Sequence, residues 1–207
     1  MNSEATLATN ESPFHRGEHL VQEKLGVREN IERFGRRVIR NHMPQQHRDF
    51  YTQLPYLFVG HADEQGWPWA SIMFDKTPFI ASPNDKTLNI KAQLATGDPL
   101  QDSIRPGTRL GLLGIELPTR RRNRLAGHIA NTSKGNIELT VDQSFGNCPQ
   151  YIQTRELEVL DTEALPAAKI VELDSFDQAS QTLIQNSDTF FVASYVNTGS
   201  GNASEGA

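Results

Sequence analysis

At 207 residues, 37% of them apolar, the chain is long enough to bury the core of one generous domain and too apolar to be disordered throughout. A formal net charge of -5 argues against a dedicated nucleic-acid binder, which needs a basic field facing phosphates, and a single cysteine excludes an internal disulfide or a Cys-only metal site. No run approaches the roughly 18 apolar residues that span a bilayer, and no basic region followed by an apolar run opens the chain, so a cytoplasmic protein without membrane contact is expected.

Residues 1–15 and the stretch NTGSGNASEGA at the end are rich in Asn, Ser, Thr, Gly and Ala. They are expected as flexible tails, because they bury too little to offset ordering entropy. Between Gly17 and Met43, Leu20, Leu25, Val27, Ile31, Phe34, Val38 and Ile39 recur at three- to four-residue spacing. That pattern predicts a helical stripe interrupted near Gly26. Pro44 suits the start of a further short helix, PQQHRDFYTQL.

From Pro55 the pattern changes to short runs, YLFVGHA, WASIMF, FIASP and TLNIKA, separated by turns at DEQGWP and PNDK. After a short helix or turn at TGDPLQDSIRPG come TRLGLLGIEL, RLAGHIANT and NIELTVDQ, the last two joined at SKGN. No helices separate these strands, so an antiparallel barrel or sandwich is expected rather than a parallel sheet. The chain divides into a tail (1–15), a helical leader plus barrel (16–160) and a helix–strand extension (161–207). An internal echo relates LPYLFVGHADEQG (54–66) to SDTFFVASYVNTGSG (187–201), each after an amphipathic helix. Either any helix–strand unit looks like this, or the extension begins a second barrel.

Several residues invite chemical readings. In SFGNCPQYI, Asn147, Pro149 and Gln150 spell a helix start, which would put Cys148 at a helix N-terminus. A nucleophilic thiol needs a base, and a small buried residue beside a cap is the plainer reading. RRRNR (120–124) would set Arg120, Arg122 and Arg124 on one face of a strand and Arg121 on the other. Three guanidiniums suit phosphate oxygens, while a solvated strand end is the alternative. Trp67 and Trp69 could wall a flat-ligand pocket or simply pack. His15 and His19 have zinc-like spacing but sit in a polar leader, without the HExxH glutamate. No Walker, GxGxxG or GxSxG motif occurs.

The order of these elements, with SFGNCPQYI and RRRNRLAG as its most specific parts, resembles the pyridoxamine 5'-phosphate oxidase-like FMN-binding split barrels. More narrowly, it is similar to the branch related to flavin- or ferredoxin-linked oxidoreductases. The resemblance covers about residues 12–160. It implies a mainly β (α+β) fold: a six-stranded antiparallel split β-barrel with N-terminal helices, paired as a homodimer or an intramolecular pseudo-dimer. It also implies FMN at the pairing surface, a small-molecule substrate and a reductase partner. Carried over by position, Ser71, Ile72 and Met73 would lie beside the isoalloxazine, with Lys76 and Lys91 toward the phosphate and Trp69, Arg122 and Arg124 completing the site. That assignment requires Lys91 and Arg124 to rim one slot. Asp98 falls where the family places a cation, and an acid there would repel a phosphate. The substrate-binding C-terminal segment of true pyridoxamine phosphate oxidases has no counterpart, so that activity is not expected. The alternative is a cofactor-free dimerisation or interaction module of a redox protein. A planar ligand such as haem near His61 or His128 is a weaker option.

Overall fold

The computed structural model describes residues 12–76, 78–157 and 169–196. The tail expected over 1–11 and that after 196 lie outside the described residues, as does the junction 158–168. Three helices come first: α1 (Arg16–Lys24), α2 (Arg28–Val38) and α3 (Gln45–Thr52). The break at Gly26 falls where expected, at a φ of 68°, a conformation that costs glycine least. The apolar stripe of α1 and α2 does not find a core, however. Leu20, Leu25 and Phe34 are all more than half exposed. A polar link joins the pair: the Ser12 hydroxyl donates to Glu32 on α2 and lies 2.9 Å from His19 Nε2 on α1, while Arg28 and Arg36 donate to Glu32 within α2.

The strands are β1 (Tyr56–Ala62), β2 (Pro68–Phe74), β3 (Ile80–Asn84), β4 (Thr87–Ile90), β5 (Gln93–Leu94), β6 (Arg109–Glu116), β7 (Arg121–Ser133) and β8 (Asn136–Gly146). They form one sheet, antiparallel throughout, in the order β3–β4–β8–β7–β6–β1–β2–β5. Eight strands thus replace the six expected. The difference lies partly at Lys91–Ala92, where one extended segment bends and is divided into β4 and β5. β4 pairs with β8 and β5 with β2, so this single bent segment links the second strand of the row to its last and curls the sheet. The SKGN turn forms as expected, with Lys134 and Gly135 both at positive φ, the geometry of a type I′ hairpin.

The core fills the inside of the curl. Leu57, Val59, Met73, Leu88, Ile90, Leu110, Leu112, Leu125, Ile129, Ile137, Leu139 and Val141 point inward. One end is stoppered by Phe50 and Tyr51 of α3 and by Leu54 just past it, all buried. They reach so far in that a Cβ on Gly114 would stand 2.8 to 2.9 Å from each of the three. Arg121 caps the same end, its guanidinium 5.0 Å from the centre of the Phe50 ring. The helical leader is tied to the sheet at Ser144, which exchanges backbone hydrogen bonds with Arg40 and whose hydroxyl lies 2.8 Å from His47 Nδ1. A short helix α4 (Leu100–Ser103) follows β5, and α5 (Gln178–Asn186) lies in the extension.

Candidate functional site

Strand β2 organises the region of interest. One edge pairs with β1 over its whole length, from Tyr56↔Phe74 to Ala62↔Pro68. The other pairs with β5 only at Met73 and Phe74, which leaves residues 68–72 without a strand neighbour on that side among the described residues. Alternation sends Trp69, Ser71 and Met73 to the inner face, opposite His61, Val59 and Leu57, while Ala70 and Ile72 face outward.

At the open mouth, inner-face polar groups gather. Asp98 Oδ1 accepts from Ser71 Oγ at 2.7 Å and from the Leu100 amide at 2.9 Å. His61, 3% exposed, sets Nε2 3.4 Å from the same hydroxyl, and its Nδ1 has no well-aligned partner. Burial holds His61 below its ordinary pKa, outweighing the opposing pull of the Asp98 and Asp63 carboxylates. Asp63 braces the rim: Oδ2 accepts from Trp69 Nε1 at 2.8 Å, and Oδ1 accepts from the amides of Gln65 and Trp67. These hydrogen bonds, the Trp69 one foremost, hold its carboxyl below the usual range. Asp98 is therefore an anchor for the loop before α4, satisfied by two donors. It does not present a bare charge in the place of a missing cation.

The seven residues expected to hold a cofactor separate into four groups. Ser71 and Trp69 stand at the mouth, each already hydrogen-bonded to an aspartate. Met73 is fully buried and lines a cavity of about 290 Å³ with Leu94, Ile104 and Ile137. Lys76 and Lys91 are both exposed and share one corner: Lys76 lies in the turn from β2 to β3, and the Lys91 amide donates to Phe79 O at the far side of that turn.

Arg122 and Arg124 lie elsewhere. Lys91 follows Ile90, which pairs with Ile137, whereas Arg124 pairs with Phe145 at the other end of β8, about 26 Å of extended strand away at roughly 3.3 Å per residue. The expectation that Lys91 and Arg124 rim one slot therefore fails within this barrel. Arg122 instead donates through Nη2 to Asn147 Oδ1 (3.1 Å) and Cys148 O (2.5 Å). Asn147 is thus engaged by an arginine, and no helix starts at NCPQYI. Cys148 is exposed, contrary to the buried reading, and it is its carbonyl that is used. Arg120 also departs from the expected face, standing in the turn before β7 at a φ of 61°.

The role of Asp63 and the binding of Ser71 to Asp98 went unrecognised in the sequence. The first had a signal: an Asp three residues before Gly66 in a hairpin turn is placed to accept turn amides. The second had none, since residues 27 positions apart meet only through the curl. His128 bonds Asp142 through Nδ1, and Asp142 lines a pocket together with His61, Arg109 and Tyr195. No group of residues with metal-ligand geometry occurs among the described residues, and no described helix is long and apolar enough to cross a membrane.

No family model matches the chain, and no curated protein does. Among solved structures, a chain named F420 reductase aligns with 51% of this chain and 97% of its own length, at 11% identity and a TM-score of 0.31. A likeness of that size carries no weight for fold or function. The antiparallel, curled, mainly β architecture rests on the chain's own register.

Proposed function

We propose that the chain is an FMN-binding split-barrel protein that supports flavin-dependent oxidoreduction of a small molecule, alongside a reductase that supplies electrons. The observation that carries this reading is the edge of β2 left open over residues 68–72, with two exposed lysines past the laddered end of the strand: Lys76 after β2 and Lys91 in the segment that leads into β5. An unladdered edge offers backbone N–H and C=O groups to a planar, hydrogen-bonding ring, and two ammonium groups suit a dianionic phosphate. These features fit FMN as the sequence resemblance implies it. Bound FMN would supply hydride or electron transfer. The chain would orient it: the lysines hold the phosphate, the β2 edge holds the ring, and Trp69, fixed by Asp63, walls the mouth. Arg122 and Arg124 are not part of this site within one barrel.

A second reading has its own support. Ser71 is committed to Asp98 and Met73 is buried, as expected of a cofactor-free interaction module. Quenching of FMN fluorescence separates the two. The wild-type protein is expected to quench, and a Lys76→Ala/Lys91→Ala variant to bind about tenfold more weakly or worse, since hydrogen bonds to a charged group contribute roughly 1.5 kcal/mol or more. Absence of quenching by the wild type would favour the module. Unchanged affinity in the variant would move the site away from this corner.

A further inference from the structure

The bent segment that curls the sheet also leaves a hollow in it. Ile90 is the last residue of β4 paired with β8, against Ile137, and Gln93 is the first of β5 paired with β2, against Phe74. Lys91 and Ala92 belong to neither ladder, so a gap opens where the segment leaves β8 for β2. That gap is the cavity of about 290 Å³. Its walls are Met73, Ala92, Leu94, Ile104 and Ile137, and its rim is the turn 132–136 between β7 and β8.

The two ends of β7 differ in how the curl is filled beside them. At Arg121, where β7 starts, the Phe50 and Tyr51 side chains of α3 are buried in the opening. At the end that runs to Ser133 the described residues leave the space open: Ala92, Leu94 and Ile104 pack against the core yet are only partly buried. Water is a poor occupant there. The space is roughly ten times the ~30 Å³ share of one water, and an ordered water needs about two to four polar partners, which aliphatic and thioether side chains do not supply. An apolar pocket with a few polar groups at its mouth is the ordinary form of a small-molecule site.

The rim narrows the class of ligand. Among the described residues that line the cavity, Lys134 alone carries a charge. It is exposed and makes no ion pair with any described residue. Thr132, Ser133 and Asn136 set hydroxyl and amide groups beside it. Lys134 also stands at a φ of 50°, in the turn position where Asn, Asp or Gly fits best. The turn itself therefore gains nothing from a lysine, and backbone strain of this kind gathers where a side chain has work to do.

We propose that this cavity binds a small apolar monocarboxylate, with a hydrocarbon body of about eight carbons against Met73, Leu94 and Ile104 and its carboxylate at the hairpin rim with Lys134. The site shares no residue with the Lys76–Lys91 corner, and the inference does not rest on flavin binding.

Octanoate and its neutral counterpart 1-octanol are the probes, read through the methyl resonances of Met73, Leu94 and Ile104 in NMR spectra of the full chain. Octanoate should shift these resonances saturably. Lys134→Asn should weaken octanoate by about threefold or more, as for an ion pair near the surface, and leave 1-octanol within about twofold. The same variant should unfold at higher urea, because asparagine suits the turn better, so weaker binding cannot be laid to a damaged fold. Ala92→Phe, which occupies part of the cavity, should weaken both probes in a protein with an unchanged circular-dichroism spectrum. Wild-type resonances that do not saturate with octanoate would overturn the site. Octanoate affinity untouched by Lys134→Asn would overturn the place of the carboxylate. The Lys76→Ala/Lys91→Ala variant should keep octanoate binding whatever becomes of its flavin; loss of octanoate there would overturn a site separate from the flavin corner.

Discussion

Two buried histidines set the response to acid. His47 is held below its ordinary value of 6.5 by burial first, then by the Arg40 and Arg121 charges, and His61 is depressed by burial. The unfolded chain therefore takes up protons before the folded one as pH falls. Stability contributed by the neutral forms is full above about pH 6.5 and declines as pH drops below it. Urea unfolding midpoints should fall between pH 7 and pH 5, and His47→Gln should make that decline shallower. An identical slope in the variant would remove His47 from the account. Residue identities of this kind were only partly legible in sequence. The Asn147 and Pro149 spelling was visible, but local capping chemistry lost to an arginine 25 positions upstream, and no local pattern reveals that. Alternation set Arg120, Arg122 and Arg124 on one face of a strand, yet it could not show that Arg120 falls in a turn.

Elements were read more reliably than side chains because their signals are local. The break near Gly26, the helix after Pro44, the SKGN hairpin and the strand runs between Tyr56 and Gly146 follow from periodicity and turn chemistry within a few residues, whereas the strand expected after α5 does not form over residues 187–196. The strand count differed because a two-residue bend at Lys91–Ala92 is invisible to alternation, though it decides how the sheet closes. The fate of the α1–α2 stripe was equally hidden, since periodicity reports an apolar face and not what covers it. At this scale the critical joint is α3 against β6. Phe50, Tyr51 and Leu54 occupy the space a side chain on Gly114 would need, so Gly114→Val should cost about 1–3 kcal/mol by overpacking. Urea denaturation would register this as a lower midpoint at unchanged slope. A variant as stable as wild type would mean that α3 does not plug the curl.

In the whole molecule, one bent segment links the β3–β4 side of an antiparallel sheet to its β5 end, and β5 covers only the end of β2 that leads to Lys76, leaving residues 68–72 open. Sequence reasoning reached the curl through the lack of helices between strands. It overreached in gathering Lys91 and the β7 arginines into one rim, because the stagger of β8 in a curled sheet cannot be read from strand order. What remains is a narrower site, the β2 edge and the Lys76–Lys91 corner. Equilibrium dialysis of the full chain against FMN tests it most directly. The account predicts flavin retained in stoichiometric proportion by the wild type and released when both lysines are replaced by alanine. Flavin equal on both sides of the membrane with folded wild-type protein would contradict it.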